Sequence, residues 1–232
     1  MKAQTWPARS LLGRLRPRDA EALLELGTLV AYPAQHRLIR QGDAGRHSLL
    51  VLRGSAKVIV DTERGRDVVI AVRGPGDLLG EMATLEHRPR SAHVIACAAV
   101  EARVIRSTEL AEFLCRAPEA CLAVARMLSE RLRSADRRGI DFVVCPAPVR
   151  VVRVLVEISQ HHGVSTAAGW DLGIPLSQTE IASMAGTGLS TVEKVFRKLE
   201  TEGVLHRHYR RVMITDLDGL RRFGEFPAGI PY

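Results

Sequence analysis

Apolar residues change their spacing along the chain, and each change predicts a different kind of element. Leucines recur at steps of three and four over residues 10–30, which predicts a helix. Residues 32–107 instead carry short apolar runs separated by glycine turns. The runs are Leu49–Leu52, Lys57–Val60, Val68–Val72, Val94–Ala99 and Val100–Ile105. Many short strands at such spacing predict a β-sandwich or a barrel-like roll.

Helical spacing returns at about Pro118 and continues to about Val144. The apolar positions of this helix alternate steps of four and three, in the order Cys121, Ala125, Leu128, Leu132, Ala135, Gly139 and Phe142. We call these seven positions the seam, and their three heptads favour pairing with a second helix. The alternative is a helix that lies on its own sheet, whose apolar stripe is usually wider. The basic residues between seam positions, Arg131 among them, are expected to face solvent.

Two prolines end this helix, because Pro146 and Pro148 cannot continue it. We place a domain boundary there, which divides the chain into residues 1–117, a long helix at 118–145 and a C-terminal domain at 146–232. The C-terminal pattern predicts a helix at about 149–161, a loop at Gly163–Gly173, two short helices and a small hairpin.

The two short helices form a predicted helix-turn-helix. Ser177 and Glu180 have the spacing of a capping box, and Gly186 stands where the first helix must end with a positive φ. Apolar or small residues occupy the positions where two crossing helices meet, namely Ile181, Ala182, Met184, Ala185, Val192, Val195, Phe196 and Leu199. An ordinary pair of crossing helices is the alternative.

The outward positions of the second helix carry hydroxyl and basic side chains, which suit insertion into a DNA major groove. The segment that follows, residues 203–214, predicts a hairpin with a basic tip and favours a DNA-binding wing. The predicted DNA-binding residues are Ser177, Gln178, Ser190, Thr191, Lys194, Arg197, Lys198, Arg207 and Arg210.

The net charge of the chain, +7, favours an anionic partner. Six basic residues and two acids lie between Lys194 and Arg211. Residues 1–145 hold 23 Lys and Arg against 17 Asp and Glu, which we interpret as a solvated arginine-rich surface.

The composition of 46% hydrophobic and 25% charged residues excludes wholesale disorder. No apolar window is long enough for a membrane span, and the first residues lack the apolar core of a signal peptide. We therefore expect a cytoplasmic protein without membrane contact or disulfides. Its cysteines, Cys97, Cys115, Cys121 and Cys145, are expected to be buried small hydrophobes. Their spacing predicts no metal site.

Residues 78–92 contain the most informative motif of the first half. Gly80 lets a ligand approach the backbone, and the short helix after it offers free amide groups to an anion. Glu81 suits a sugar hydroxyl, Arg90 suits a phosphate, and Ser91 adds a hydroxyl donor. These residue types fit a ribose with a cyclic phosphate. The alternative is a surface turn in which Arg90 pairs with Glu81.

Gly80-Glu81-Met82-Ala83 with Pro89-Arg90-Ser91-Ala92 resembles the phosphate-binding cassette of cyclic-nucleotide-binding domains. Together with Gly42-Asp43, Gly54, the long helix and the helix-turn-helix, roughly residues 20–220 resemble the cyclic-AMP receptor protein and fumarate–nitrate regulator family of bacterial transcription regulators. The resemblance implies an α+β protein with a jelly-roll β-roll, a dimerisation helix at 118–145 and a C-terminal winged helix-turn-helix.

The family resemblance also implies partners and an effector. The partners are a second copy of the chain, double-stranded DNA with a near-palindromic operator, and RNA polymerase. The effector is a cyclic nucleotide, cAMP or cGMP, which acts allosterically, and no further cofactor is required. The resemblance implies a regulator and no enzyme, and the sequence shows no nucleophile–base pair.

Residue by residue, the resemblance places Gly80 and Glu81 on the ribose, and Arg90 and Ser91 on the cyclic phosphate. Met82 and Ala83 complete the cassette, while Ile70 and Ala71 would line the pocket. Two residues of the long helix that reach the purine are polar and uncharged in the cyclic-AMP receptor. They fall at Ala135 and Asp136 here, so the identity of the purine stays open.

Asp136 would favour guanine, whose N1–H and amino group both donate, unless it pairs with Arg133 or Arg137. The recognition helix also departs from the cyclic-AMP receptor, whose Arg-Glu pair and second Arg are replaced by Leu189, Ser190 and Lys194. The alternatives are a cassette that is vestigial or serves a non-nucleotide effector, and a nucleotide-regulated enzyme.

Overall fold

The computed structural model describes residues 5–63, 65, 67–208 and 211–224. The chain divides into two compact units, Met1–Arg133 and Ser134–Tyr232. The elements that lie within the first unit are α1 (Leu11–Arg14), α2 (Pro17–Glu25), β1 (Thr28–Tyr32), β2 (Arg37–Ile39), β3 (His47–Arg53), β4 (Ala56–Asp61), β5 (Asp67–Arg73), β6 (Leu78–Leu79), α3 (Glu81–Glu86), β7 (His93–Ala96), β8 (Val100–Arg106) and α4 (Ser107–Arg116). The long helix α5 (Pro118–Val144) runs from the first unit into the second.

The first unit is a β-roll of two four-stranded antiparallel sheets, ordered β1-β8-β3-β6 and β2-β7-β4-β5. Strand β3 contributes side chains to two apolar clusters, because successive side chains of a strand point to opposite faces of the sheet. Leu49 and Val51 join the apolar cluster that contains residues of both sheets. Leu50 joins the cluster formed with the helices. The predicted strands at 49–52, 57–60, 68–72 and 100–105 are confirmed.

The predicted helix over residues 10–30 is wrong in its extent. The chain is extended at Leu15 and Arg16, because the residue before a proline disfavours helical backbone angles, and Pro17 then starts α2. Gly27 has φ +62°, and a Cβ there would lie 2.1 Å from the Val104 carbonyl oxygen. The chain turns here into β1, which pairs with β8.

Helix α5 packs on its own unit through Ala120, Ala123, Val124 and Met127. The seam lies on another side: Leu128 is half-buried, and the other six seam positions are exposed on the single chain. The alternative of a helix that lies on its own sheet thus holds for residues 120–127 of α5, while six of the seven seam positions lie outside that cluster. Dimerisation through the seam stays a prediction. Helix α4, just before α5, was not predicted.

The second unit contains the C-terminal end of α5, followed by α6 (Ala147–His162), β9 (Val164–Thr166), β10 (Gly169–Asp171), α7 (Gln178–Ala185), α8 (Leu189–Thr201), β11 (Leu205–His208), β12 (Arg211–Ile214) and α9 (Leu217–Phe223). Its sheet has the order β11-β12-β10-β9. The predicted loop at Gly163–Gly173 is wrong, because β9 and β10 form a hairpin there. Trp170 of this hairpin pairs with Ile214, so a strand much later in the chain stabilises it.

The division between the two units falls inside α5, before the boundary predicted at Pro146. The last turns of α5 belong to the second unit, where ion pairs join them to α6. These pairs are Arg138 with Glu157 and Arg153 with Asp141. The predicted end of the long helix itself is confirmed, since α5 ends at Val144 and α6 begins at Ala147.

The expectation of four buried cysteines is wrong in part. Cys97 is buried, but Cys115 and Cys121 are exposed and Cys145 is half-buried. Among the described residues, no helix has the length and apolar character needed to cross a membrane.

Candidate functional sites

The cassette begins at Gly80, a position whose backbone conformation and close neighbours require glycine. Gly80 has φ +74° and joins β6 to α3. A Cβ on Gly80 would lie 2.5 Å from Nη1 of Arg90 and 2.9 Å from Cδ1 of Ile39. The missing side chain therefore makes room for the guanidinium of Arg90.

Arg90 is buried, with 4% of the residue exposed. Its Nη1 donates to the Gly80 carbonyl oxygen at 2.7 Å, and its Nη2 donates to the His47 carbonyl oxygen. The backbone of Arg90 is also fixed, because its N–H donates to Asp43 and its carbonyl accepts from Gly42.

Burial lowers the pKa of the Arg90 guanidinium, while the charges of Glu81 and Asp43 act in the opposite direction. The two terminal nitrogens donate to neutral carbonyls rather than to a carboxylate. A buried charge is costly unless it is paired. The arrangement therefore presents a desolvated, oriented cation, which an anionic ligand would stabilise.

Glu81 is also buried, but it does not take the role that the surface-turn alternative requires. Its carboxylate accepts a hydrogen bond from Nη1 of Arg131 on α5, and Nη2 of the same arginine donates to the Leu78 carbonyl at 2.9 Å. The alternative of a surface turn with an Arg90–Glu81 pair is therefore wrong. Arg131 was expected to face solvent, although its spacing from Val124 and Met127 places it on the packed side of α5.

The remaining predicted ligand residues differ in exposure. Met82 and Ser91 are exposed, and Ala83 is buried. On β5, the pairing shifts between Val69 and Ala71, which leaves Ile70 as a bulged, exposed residue beside a buried Ala71. Ala135 and Asp136 are exposed on α5 and belong to the second unit. The first unit thus holds the other eight residues.

His47 is a neighbour of the cassette that the sequence analysis missed. Its carbonyl accepts from Arg90, and its imidazole is half-buried. Burial lowers the pKa of His47, and the nearby positive charge of Arg90 lowers it further. No motif marks this residue, because strand β3 approaches Arg90 only in the folded chain.

The helix-turn-helix has the predicted local structure. The Ser177 hydroxyl accepts from the Glu180 N–H at 3.2 Å, and the Glu180 carboxylate accepts from the Ser177 N–H at 2.8 Å. Gly186 ends α7 with φ +56°. The eight predicted inward positions, from Ile181 to Leu199, are all buried.

The outer face of α8 presents Ser190, Lys194 and Arg197, all exposed. Thr191 is half-buried beside this face, as are Ser177 and Gln178 at the start of α7. Lys198 is turned to one side, and its ammonium nitrogen lies 4.9 Å from the centroid of the Phe223 ring.

The wing is confirmed as the hairpin of β11 and β12. Arg207 donates through Nε and Nη2 to the Glu200 carboxylate, and its guanidinium lies 5.6 Å from the Phe196 ring centroid. Its hydrogen bond lowers the pKa of Glu200. Arg207 is thus engaged within the unit, and Arg210 lies outside the described residues.

Within the part of the chain that the structure describes, no group of three or more His, Cys, Asp and Glu residues could hold a metal ion.

Comparison with known proteins identifies the two domains in which the candidate sites lie. Residues 29–116 match the family model of the cyclic nucleotide-binding domain, and residues 149–223 match that of the Crp-like helix-turn-helix domain. The Cyclic AMP receptor protein of Thermus thermophilus is 29% identical over 194 residues, covering 82% of this chain and 85% of that protein. A CRP-like cAMP-activated global transcriptional regulator of Mycobacterium tuberculosis is 24% identical over 208 residues, covering 90% and 93% respectively.

The fold also matches solved structures. The structure of FixK2 from Bradyrhizobium japonicum superposes with a TM-score of 0.76 at 20% identity, covering 88% of this chain and 100% of that one. The predicted α+β fold, with its β-roll, long helix and winged helix-turn-helix, is confirmed. The proteins matched are transcription regulators and not enzymes. With a cyclic nucleotide-binding domain followed by a Crp-like helix-turn-helix, this chain belongs to the cyclic-AMP receptor protein and fumarate–nitrate regulator family of transcription regulators.

Proposed function

We propose that the protein is a homodimeric, sequence-specific DNA-binding regulator whose effector is a cyclic nucleotide held by Arg90 and Glu81. The observation that carries the effector assignment is the guanidinium of Arg90, buried and oriented without a hydrogen-bonded carboxylate. A singly charged cyclic phosphate would supply the missing anion, and the cassette residues around Arg90 lie in one unit. In this proposal Glu81 binds the ribose, and Arg90 and Ser91 bind the cyclic phosphate, as the resemblance implies.

Thermal unfolding with a panel of cyclic nucleotides tests the effector. A nucleotide concentration of 100 times its dissociation constant raises the free energy of unfolding by about 2.7 kcal/mol. A protein of this size gains about 2–4 °C per kcal/mol, so the melting temperature should rise by several degrees. Arg90→Ala should abolish the rise. Arg88→Ala is the matched control, because this nearby arginine is exposed, and it should keep the rise.

The panel should include cAMP, cGMP and a cyclic dinucleotide. Ala135 and Asp136 replace the neutral polar pair that reaches the purine in the cyclic-AMP receptor, so we propose weaker selection for adenine here. If no cyclic nucleotide at millimolar concentration moves the melting temperature, the effector proposal fails and a non-nucleotide effector or a vestigial cassette takes its place.

The proposed dimer uses the seam on α5. Six of its seven positions are exposed on the single chain, Leu132 among them, while α5 packs on its own unit mainly through other residues, Ala120, Ala123, Val124 and Met127. An exposed apolar stripe at heptad spacing is the surface that a second copy of the same helix would cover. Two copies would present two helix-turn-helix units to one operator.

The proposed DNA surface is the outer face of α8, where Ser190, Lys194 and Arg197 are exposed together. A helix of this kind enters the major groove with its N-terminal half near base edges, while basic side chains contact phosphates. Ser177 and Gln178 at the start of α7 would lie near a phosphate. Arg207 contributes less to DNA binding than the sequence analysis predicts, because Glu200 already binds its guanidinium.

Selection of DNA sequences followed by footprinting tests this surface. We expect a near-palindrome with half-sites about 34–36 Å apart. If Arg197 contacts a phosphate, Arg197→Ala should weaken binding to specific and random DNA alike. If Arg197 reads a base, the substitution should weaken binding to the specific site alone, by about 1–3 kcal/mol. Arg18→Ala, an exposed arginine of the first unit, is the control. A footprint with one asymmetric half-site contradicts the proposal, as does unchanged binding by Arg197→Ala.

A further inference from the structure

A pair of buried hydroxyl groups lies beside the guanidinium of Arg90. Ser48 on β3 is 0% exposed and Thr84 on α3 is 3% exposed. Ser48 Oγ donates to Thr84 Oγ1 at 3.1 Å. Burying a hydroxyl is costly unless it is hydrogen-bonded, so both groups need partners here.

The Thr84 hydroxyl and Arg90 share the same two acceptors. Thr84 Oγ1 lies 3.0 Å from the His47 carbonyl oxygen and 3.0 Å from the Gly80 carbonyl oxygen. These are the two oxygens that accept from Nη2 and Nη1 of Arg90. A hydroxyl has a single proton, so Thr84 donates to one of the two carbonyls at a time while Ser48 occupies its acceptor side.

Part of this arrangement is ordinary helix chemistry. Threonine often bonds to the carbonyl four residues earlier, and Gly80 has that position relative to Thr84. The bond to the His47 carbonyl is different, because it crosses from α3 to β3. The bond from Ser48 also comes from β3. The hydroxyl pair therefore ties the two elements whose carbonyls hold the guanidinium.

We propose that Thr84, supported by Ser48, is a positioning residue that orients Arg90 toward a cyclic phosphate. The inference rests on the proposed function of Arg90 as the phosphate ligand. The planar guanidinium directs its remaining N–H groups only as precisely as its two carbonyl acceptors are held. Removing the Thr84 hydroxyl frees these carbonyls to shift, and the donor fork then meets the phosphate in a poorer geometry.

Two substitutions at Thr84 separate the hydroxyl from the shape of the side chain. Thr84→Val keeps the shape and removes the hydroxyl, whereas Thr84→Ser keeps the hydroxyl. Calorimetric titration with the cyclic nucleotide that binds the wild type should give about tenfold weaker binding for Thr84→Val, the scale of one hydrogen bond. Thr84→Ser should bind within about twofold of the wild type.

Ser159→Ala provides a matched control in the second unit. Ser159 is a buried hydroxyl that donates to the Val156 carbonyl at 2.8 Å. Its loss should lower the melting temperature without changing affinity for the nucleotide. If Thr84→Ser binds as weakly as Thr84→Val, the hydroxyl is not the cause and the inference is overturned.

A double-mutant cycle with Arg90→Lys tests whether Thr84 acts through the arginine. Lysine lacks the planar fork, so Thr84→Val should cost little further affinity in that background. Equal losses in both backgrounds would overturn the inference. If the wild type binds no cyclic nucleotide, the proposed function fails together with the role toward a phosphate, and the same cycle on thermal unfolding of the free protein decides whether Thr84 holds Arg90 in place. Non-additive melting temperatures support the coupling, and additive ones refute it.

Discussion

Replacing Leu132 by glutamate should turn the protein from a dimer into a monomer. Leu132 lies at the middle of the seam, and 62% of it is exposed on the single chain. Covering this remaining surface by a second copy contributes about 1–2 kcal/mol from each leucine. Two opposed glutamates would also bury like charges without partners, which is unfavourable by several kcal/mol more.

The loss of apolar burial alone, about 2–4 kcal/mol for two copies, raises the dimer dissociation constant by about 30- to 700-fold. Leu132 is preferable to Leu128 for this test. Leu128 is half-buried and packs against the apolar cluster of its own unit, so a charge there would also destabilise the monomer.

Val144→Glu is the matched control. Val144 is on the same helix and is 65% exposed, nearly the same as Leu132. It lies midway between seam positions in the heptad, on the opposite side of the helix. Analytical ultracentrifugation should therefore show a monomer for Leu132→Glu and a dimer for Val144→Glu, with both variants folded by circular dichroism.

A folded Leu132→Glu variant that remains dimeric at the wild-type affinity would refute the assignment of the seam. Loss of the dimer in both variants would show that the interface is not confined to the seam positions, and the heptad argument would also fail.

Three further outcomes are expected. A parallel symmetric dimer places the exposed Cys121 next to its copy, so mild oxidation should give an interchain disulfide that Cys121→Ser abolishes on non-reducing gels; a dimer without this cross-link contradicts the register. The hydrogen bond from Arg207 holds the pKa of Glu200 below its ordinary value of 4.5, so its stabilisation is complete above that pH and is lost as the pH falls through the lower folded-state value. The melting temperature of the wild type should exceed that of Glu200→Gln at neutral pH, and the difference should shrink in acid; a constant difference argues against the ion pair. Burial and the charge of Arg90 lower the pKa of His47, so Arg90→Met should raise it in an NMR titration, and an unchanged value would show that the two groups do not interact.

Local sequence was sufficient for the helix-turn-helix. Its capping box joins residues three apart, its turn needs one glycine at a positive φ, and its apolar positions repeat with the helical period. Ser177, Glu180 and Gly186 thus specify their own conformations. Four strands of the β-roll, β3, β4, β5 and β8, were predicted for a similar reason, because each contains a short apolar run.

Elements that depend on distant partners were missed. Residues 28–30 have helical spacing, but they form a strand because β8 supplies hydrogen-bond partners from much later in the chain. The hairpin of β9 and β10 likewise depends on β12. A short segment with weak local preference takes the structure that its tertiary neighbours favour.

The sequence by itself determined which residue types the cassette and the recognition helix contain, because motif spacing along the chain is enough to identify them. The tertiary structure decided what each charged side chain binds. Arg131 reaches Glu81, Arg207 is held by Glu200, and Arg90 rests on two carbonyls from different elements. Long flexible side chains choose partners by distance in the fold, and these partners lie between 7 and 50 positions apart in the sequence, so sequence separation carries no direct record of that distance.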